Sequence, residues 1–175
     1  MTVERGRPVR DALEVILIAL LIAVGIRTFV LEAFVVEGPS MEPTLYSDER
    51  LLVFKLAYLF SPPRPGDIVV FRVPWDGSKD YVKRVIADGG QTVEIRQGTV
   101  YVDGRPLSEP YIHFTDRSNL APVRVPAGYI FVLGDNRPES EDSRYFGPVS
   151  QQLVEGKAVV LWWPPSRFAW LGGPL

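Results

Sequence analysis

The chain has no cysteine and a single histidine, His113. Without cysteine it cannot be a thiol protease, a thiol redox enzyme, a disulfide scaffold or a Cys-ligated zinc protein. One imidazole cannot build a multi-His metal centre, and a Ser-His-Asp triad would have to use His113. Acid–base chemistry in such a chain falls to another side chain. Lysine is scarce as well: Lys55, Lys79, Lys83 and Lys157 stand against fifteen arginines. Charge of one sign is lacking too. Nineteen Lys+Arg against 21 Asp+Glu leave a net charge of −2, so no nucleic-acid partner is expected. What remains is 175 residues of near-average hydrophobicity, about one domain.

Long hydrophobic runs are absent save one. Val15–Ile26 is twelve consecutive apolar residues, and no later run, Ala158–Trp163 with its six included, approaches it. Counted from Ala12 to Leu31, twenty positions carry only Glu14, Arg27 and Thr28 as polar residues. A membrane span needs about 20 apolar residues, whereas about 10–14 suit a signal-peptide core or a buried helix. A retained anchor, a removed signal peptide and a buried helix are therefore the readings to weigh. The residues after the run, Arg27–Phe34, hold no small-x-small cleavage site, which favours the anchor. Arg5, Arg7 and Arg10 precede the run and place the N-terminus in the cytoplasm, a weak bias because Arg27 lies on the other flank. The organisation expected is a cytoplasmic tail (1–11), a transmembrane anchor (12–31) and an extracytoplasmic β domain (32–175).

After residue 32 the pattern is mainly β. Short runs rich in Val, Ile, Phe and Tyr are separated by glycine and proline. They are Phe34–Val36, Leu51–Lys55, Asp67–Val73, Tyr81–Ala87, Thr92–Arg96, Thr99–Val102, Tyr129–Leu133 and Lys157–Trp162. Gln97-Gly98 and Asp103-Gly104 are turn signals. The polar stretch Leu107–Val125 reads as an excursion from the main sheet, with 97–128 as its widest bounds. Helical periodicity is missing here apart from a turn at Glu42–Leu45.

Three constellations could carry chemistry. Ser40 lies between Pro39 and Pro43 in Gly38–Thr44, where two rigid rings would hold a nucleophile in place; a helix cap or turn serine reads the same way. Lys83 shares a strand face with Tyr81, Val85 and Ala87, while Val82, Arg84 and Ile86 take the other. Burial lowers a lysine's pKa and frees it to act as a base, which arginine cannot do; an edge-strand lysine with its head in water is the plainer reading. Gly134–Gly147 packs two Arg, two Asp, two Glu, two Ser and an Asn onto a strand end. Such a loop is either a solvated turn or a polar network that shapes a site. Its acidic spacing does not match an EF-hand. Together the three make a Ser/Lys hydrolase.

At this point the chain resembles the bacterial type I signal peptidases, membrane enzymes that remove signal peptides from exported proteins. The matching stretches are Gly38–Leu45, Gly66–Phe71, Lys83–Ala87 with Gly89-Gly90, and Gly134–Gly147, in the family's order behind an N-terminal anchor. The resemblance implies an antiparallel β catalytic domain of signal-peptidase type with one N-terminal transmembrane helix. It implies Ser40 as nucleophile and Lys83 as general base. Ser140 would orient the lysine, Asp142 would pair with Arg144, and Asp135 with Arg84. Phe34, Val36 and Val82 would line pockets for small residues before the cut, with Gly38 and Met41 beside them. Some relatives place an oxyanion-binding serine where this chain has Gly38, so the Ser40 backbone N–H is expected to take that role. Partners would be signal peptides and membrane lipid, the latter also through Trp162, Trp163, Phe168 and Trp170. A buried terminal strand explains those aromatics equally well. No metal or cofactor is expected. Two other classes compete. A self-cleaving repressor needs a DNA-binding domain before its serine, which residues 1–11 are too short to form. A non-enzymatic exported β domain that binds a ligand would have residues 1–31 removed.

Overall fold

The computed structural model describes residues 7–73 and 75–172, without the side chains of 7–9 and 26–28. Residues 1–6 of the expected tail lie outside this set. The apolar run folds as helix α1 (Arg7–Phe29). Twelve strands follow among the described residues: β1 (Leu31–Val35), β2 (Arg50–Phe54), β3 (Ile68–Val73), β4 (Asp76–Asp88), β5 (Thr92–Arg96), β6 (Thr99–Val102), β7 (Arg105–Pro106), β8 (Leu120–Arg124), β9 (Tyr129–Leu133), β10 (Val149–Ser150), β11 (Val154–Trp163) and β12 (Ala169–Trp170). A four-residue helix, α2 (Ser143–Phe146), sits between β9 and β10.

Eight strands form one sheet, ordered β1-β2-β11-β3-β4-β9-β10 with β12 added to β11; β7-β6-β5-β8 form a second. The strand pairings are antiparallel. Position in the sheet explains the residue patterns. Ile68–Phe71 of β3 and Ile130–Leu133 of β9 are buried on both faces and read as unbroken apolar runs. β2 alternates. One face of the large sheet buries Val36, Met41, Leu51, Val53 and Ile68; the other buries Val69, Phe71, Val85 and Val132. A third cluster joins Ile86 and Phe131 to Val93 and Ile95 of the second sheet.

Strict alternation along β4 fails at one place. A bulge lies between Val85 and Ala87, so Ala87 joins the Ile86 cluster instead of the Val85 one. The extra residue turns the strand end toward the second sheet. Gln97-Gly98 and Asp103-Gly104 form two-residue turns with positive φ at both positions, the geometry that matches strand twist.

The N-terminal boundary differs from expectation. The helix ends at Phe29, and Leu31 already pairs with Phe54 of β2. Leu13, Val15, Ile16, Leu17 and Ile18, five of the helix's apolar side chains, are each more than half exposed. Among the described residues, no helix is long and apolar enough to cross a membrane. The second sheet spans β5 to β8, so it begins at Thr92, before the expected excursion bounds.

Candidate active site

Ser40 rides on the segment between β1 and β2. Its base is closed by Val36 N–H donating to Glu49 O (2.8 Å) and Asp48 N–H to Val36 O (2.9 Å). Glu42 N–H donates to Pro39 O and Leu45 N–H to Met41 O, winding one helical turn. Met41 and Leu45, one turn apart, are wholly buried in the core. With that side anchored, half-buried Ser40 turns the other way. Asn136 secures it from across the site: its N–H donates to Ser40 O (3.0 Å) and its Nδ2 to Pro39 O (3.1 Å).

Lys83 is the last β4 residue before β9 joins, since that pairing begins at Arg84–Leu133. It is 3% exposed. Its Nζ lies 2.8 Å from Ser40 Oγ and 3.1 Å from Val82 O, and 5.0 Å from the centre of the Tyr81 ring. Burial pushes the Lys83 amine down from its ordinary value to about 8, against the opposing pull of Asp142, Glu141 and Asp135.

Two of those carboxylates are tied to arginines. Asp135 takes a bidentate pair from Arg84, Nε to Oδ1 at 2.8 Å and Nη2 to Oδ2 at 2.6 Å, and also accepts from Thr44 Oγ1. Asp142 caps α2 and is held by Arg144, Nε to Oδ1 at 2.8 Å and Nη2 to Oδ2 at 2.9 Å; its Oδ2 also accepts from Gly134 N–H (3.0 Å). Both pairs join the residues that the sequence reading joined. Each carboxylate is wholly buried, so its partner is required to offset desolvation. Gly134 allows the loop to close. A Cβ there would lie 2.2 Å from Ser140 Oγ and 2.5 Å from Ser40 O.

The cleft beside Ser40 and Lys83 has a volume of about 550 Å³. Phe34, Val36 and Val82 line it, together with Tyr81, Leu51 and Val70. Two expectations are corrected. Met41 is not in the cleft, because the turn after Ser40 sends it into the core. Ser140 is buried beside the site, but its hydroxyl has no hydrogen-bond partner among the described residues; the Lys83 amine instead meets Ser40 Oγ and Val82 O. Gly38 is exposed at φ +81°, with open space where a side chain would stand, and it does not line the cleft wall. His113 is exposed and is not among the cleft residues. Sequence reasoning missed Asn136 and Thr44. Asn136 lay within the polar loop but carried no cue to its acceptors, and Thr44 lay within the serine box with none to Asp135.

A serine hydroxyl touched by a buried, weakly basic amine at an open cleft is what a serine hydrolase requires. A family model described as "Signal peptidase, peptidase S26" matches residues 9–163. The chain is 43% identical over 171 residues to "Probable signal peptidase I-1" of a Synechocystis strain, covering 94% of this chain and 87% of that one. It is 42% identical to signal peptidase I of Leptolyngbya laminosa, covering 95% and 86%. The signal peptidase I of Bacillus caldolyticus is 40% identical, with 87% and 90% covered. A crystal structure of a signal peptidase I from Enterococcus faecalis superposes with a TM-score of 0.50 at 40% identity, over 55% of this chain and 97% of that one. The chain belongs to the signal peptidase family, peptidase S26, and is a serine peptidase.

Proposed function

We propose that this protein removes N-terminal signal peptides from exported preproteins after small-x-small sites, with Ser40 as nucleophile and Lys83 as general base. The observation that carries the reading is the 2.8 Å contact between Ser40 Oγ and a buried lysine amine. With its pKa near 8, about a tenth of that amine is neutral at pH 7, a few hundred-fold more than for an ordinary lysine. The neutral amine takes the Ser40 proton as Oγ attacks the scissile carbonyl. The same proton then passes to the leaving amine, which departs with the mature protein. Lys83 next activates a water that releases the signal peptide as a carboxylate. The Ser40 N–H has no acceptor among the described residues and is our oxyanion donor. Asp135, Arg84, Asp142 and Arg144 are positioning residues.

The substrate enters as an extended strand. Among the described residues, β1 is an edge strand and β4 has no partner on its β9 side before Arg84. Between these edges Phe34, Val36 and Val82 meet the small side chains before the cut. Open space at Gly38 leaves room for substrate backbone.

We further assign α1 as a retained membrane anchor with the N-terminus cytoplasmic and the β domain outside. The α1 stretch Val15–Ile26 is apolar around the whole helix and keeps side chains more than half exposed, so it needs lipid or a core around it. Exposed Trp163, Phe168 and Trp170 extend the surface offered to lipid, while Trp162 is partly buried.

The experiment is incubation of the full chain with a preprotein bearing an Ala-x-Ala site, with product masses read afterwards. Two products cut after the second alanine are expected. An intact preprotein, or a cut elsewhere, overturns the reading.

A further inference from the structure

The segment between β7 and β8 has little regular structure, yet it crosses the loop that follows β9, where Phe114 bridges Asn136. Three of its side chains land on three arginines. Glu109 pairs with Arg137, whose Nε donates to Gly134 O (3.1 Å). Arg84 Cζ lies 3.9 Å from the centre of the Tyr111 ring, whose hydroxyl donates to Glu109 Oε1 (3.0 Å). Asp116 pairs with Arg144 and accepts from Ser118 N–H and Oγ on its other oxygen. The β5–β6 turn backs this strap from behind: a Cβ on Gly98 would lie 2.1 Å from Asp116 O.

The far side of each arginine faces the site. Arg84 follows Lys83 in β4 and grips Asp135, which holds Thr44 of the serine segment. Arg144 grips Asp142, which holds Gly134 N–H. Arg137 holds the Gly134 carbonyl. Gly134 in turn lies against Ser40 O, and Asn136 N–H bonds it. Arg84 also donates to Gly66 O and Arg144 to Arg137 O, and the strap adds a further contact that holds each guanidinium in place.

We propose that the strap 107–118 is a positioning element of the Ser40–Lys83 site, acting through Glu109, Tyr111 and Asp116 on Arg137, Arg84 and Arg144. It rests on the reading of Ser40 and Lys83 given above. None of the three touches substrate.

Full-length Glu109→Gln, Asp116→Asn and their double variant remove charge while keeping shape. Tyr111→Leu removes the ring face and Tyr111→Phe keeps it. Two rates are measured for each: preprotein cleavage, and covalent labelling of Ser40 by a small serine-directed phosphonate, which needs no substrate docking. The double variant and Tyr111→Leu should lose at least about tenfold in kcat and in labelling rate, with KM within about twofold, and Tyr111→Phe should recover most of the loss. Folded variants with both rates unchanged, or a loss confined to KM, overturn the proposal. Should Tyr111→Leu or the double variant fail to fold, the isosteric single substitutions decide. A fully active Ser40→Ala would instead defeat the underlying reading; an inactive Ser40→Ala beside unaltered strap variants defeats the strap alone.

Discussion

The role proposed for Lys83 depends on what surrounds it. An amine in water at neutral pH is a cation and no base; the same amine buried against Tyr81 and Val82 gives up its proton near pH 8. Preprotein cleavage should therefore rise with pH along an acid limb near 8. Lys83→Arg should abolish it at every pH, since guanidinium stays protonated. Stability should carry the same signature. The unfolded lysine titrates near 10.5 and the folded one near 8, so between these values the unfolded chain holds more protons and stability climbs with pH. Denaturant midpoints at pH 7.5 and 9.5 should show that climb in the parent and a smaller one in Lys83→Met. Lys83 was legible because lysine is rare here and this one shares a strand face with apolar residues. Ser40 was legible only beside Lys83 and the polar loop, for a serine between prolines reads equally as a cap. Met41 was misplaced because sequence alone does not say which side of a turn faces inward.

At the scale of elements, the turn after Ser40 is held by its buried side. Met41 and Leu45 are one helical turn apart and both wholly buried, so the segment is fixed by packing on the core. Met41→Ala should cost about 2–5 kcal/mol of stability. Its KM for a preprotein should stay unchanged while the protein is folded, because Met41 does not line the cleft; unfolding curves and steady-state kinetics check both. Eight strands were visible as apolar runs. β7, β10 and β12 were not, being two residues long and set by their neighbours' registers. β8 was not, because its exposed, proline-containing LAPVR carries too little alternation. The bulge in β4 is invisible in a regular pattern of apolar residues. α2 is one turn capped by Asp142, too short to leave a period.

At the scale of the molecule, a helix with exposed apolar sides leads into an edge strand that forms one wall of the cleft. The helix, the cleft and exposed Trp163, Phe168 and Trp170 are then consistent with a site that works beside a bilayer. The full chain expressed in bacteria should stay with membranes through alkaline carbonate extraction; release into the supernatant would contradict the anchor. The order of boxes along the chain was legible, since each is a local run. The pairings among them were not derivable from spacing: Asp116 and Glu109 reach Arg144 and Arg137 across 28 residues each. Those long-range ion pairs join the strap between β7 and β8 to the loop that follows β9.

The most direct test of the central claim is the cleavage rate of an Ala-x-Ala preprotein by full-length Ser40→Ala. With the fold intact by circular dichroism, turnover should vanish while the parent yields both products. Normal turnover by Ser40→Ala would contradict the account.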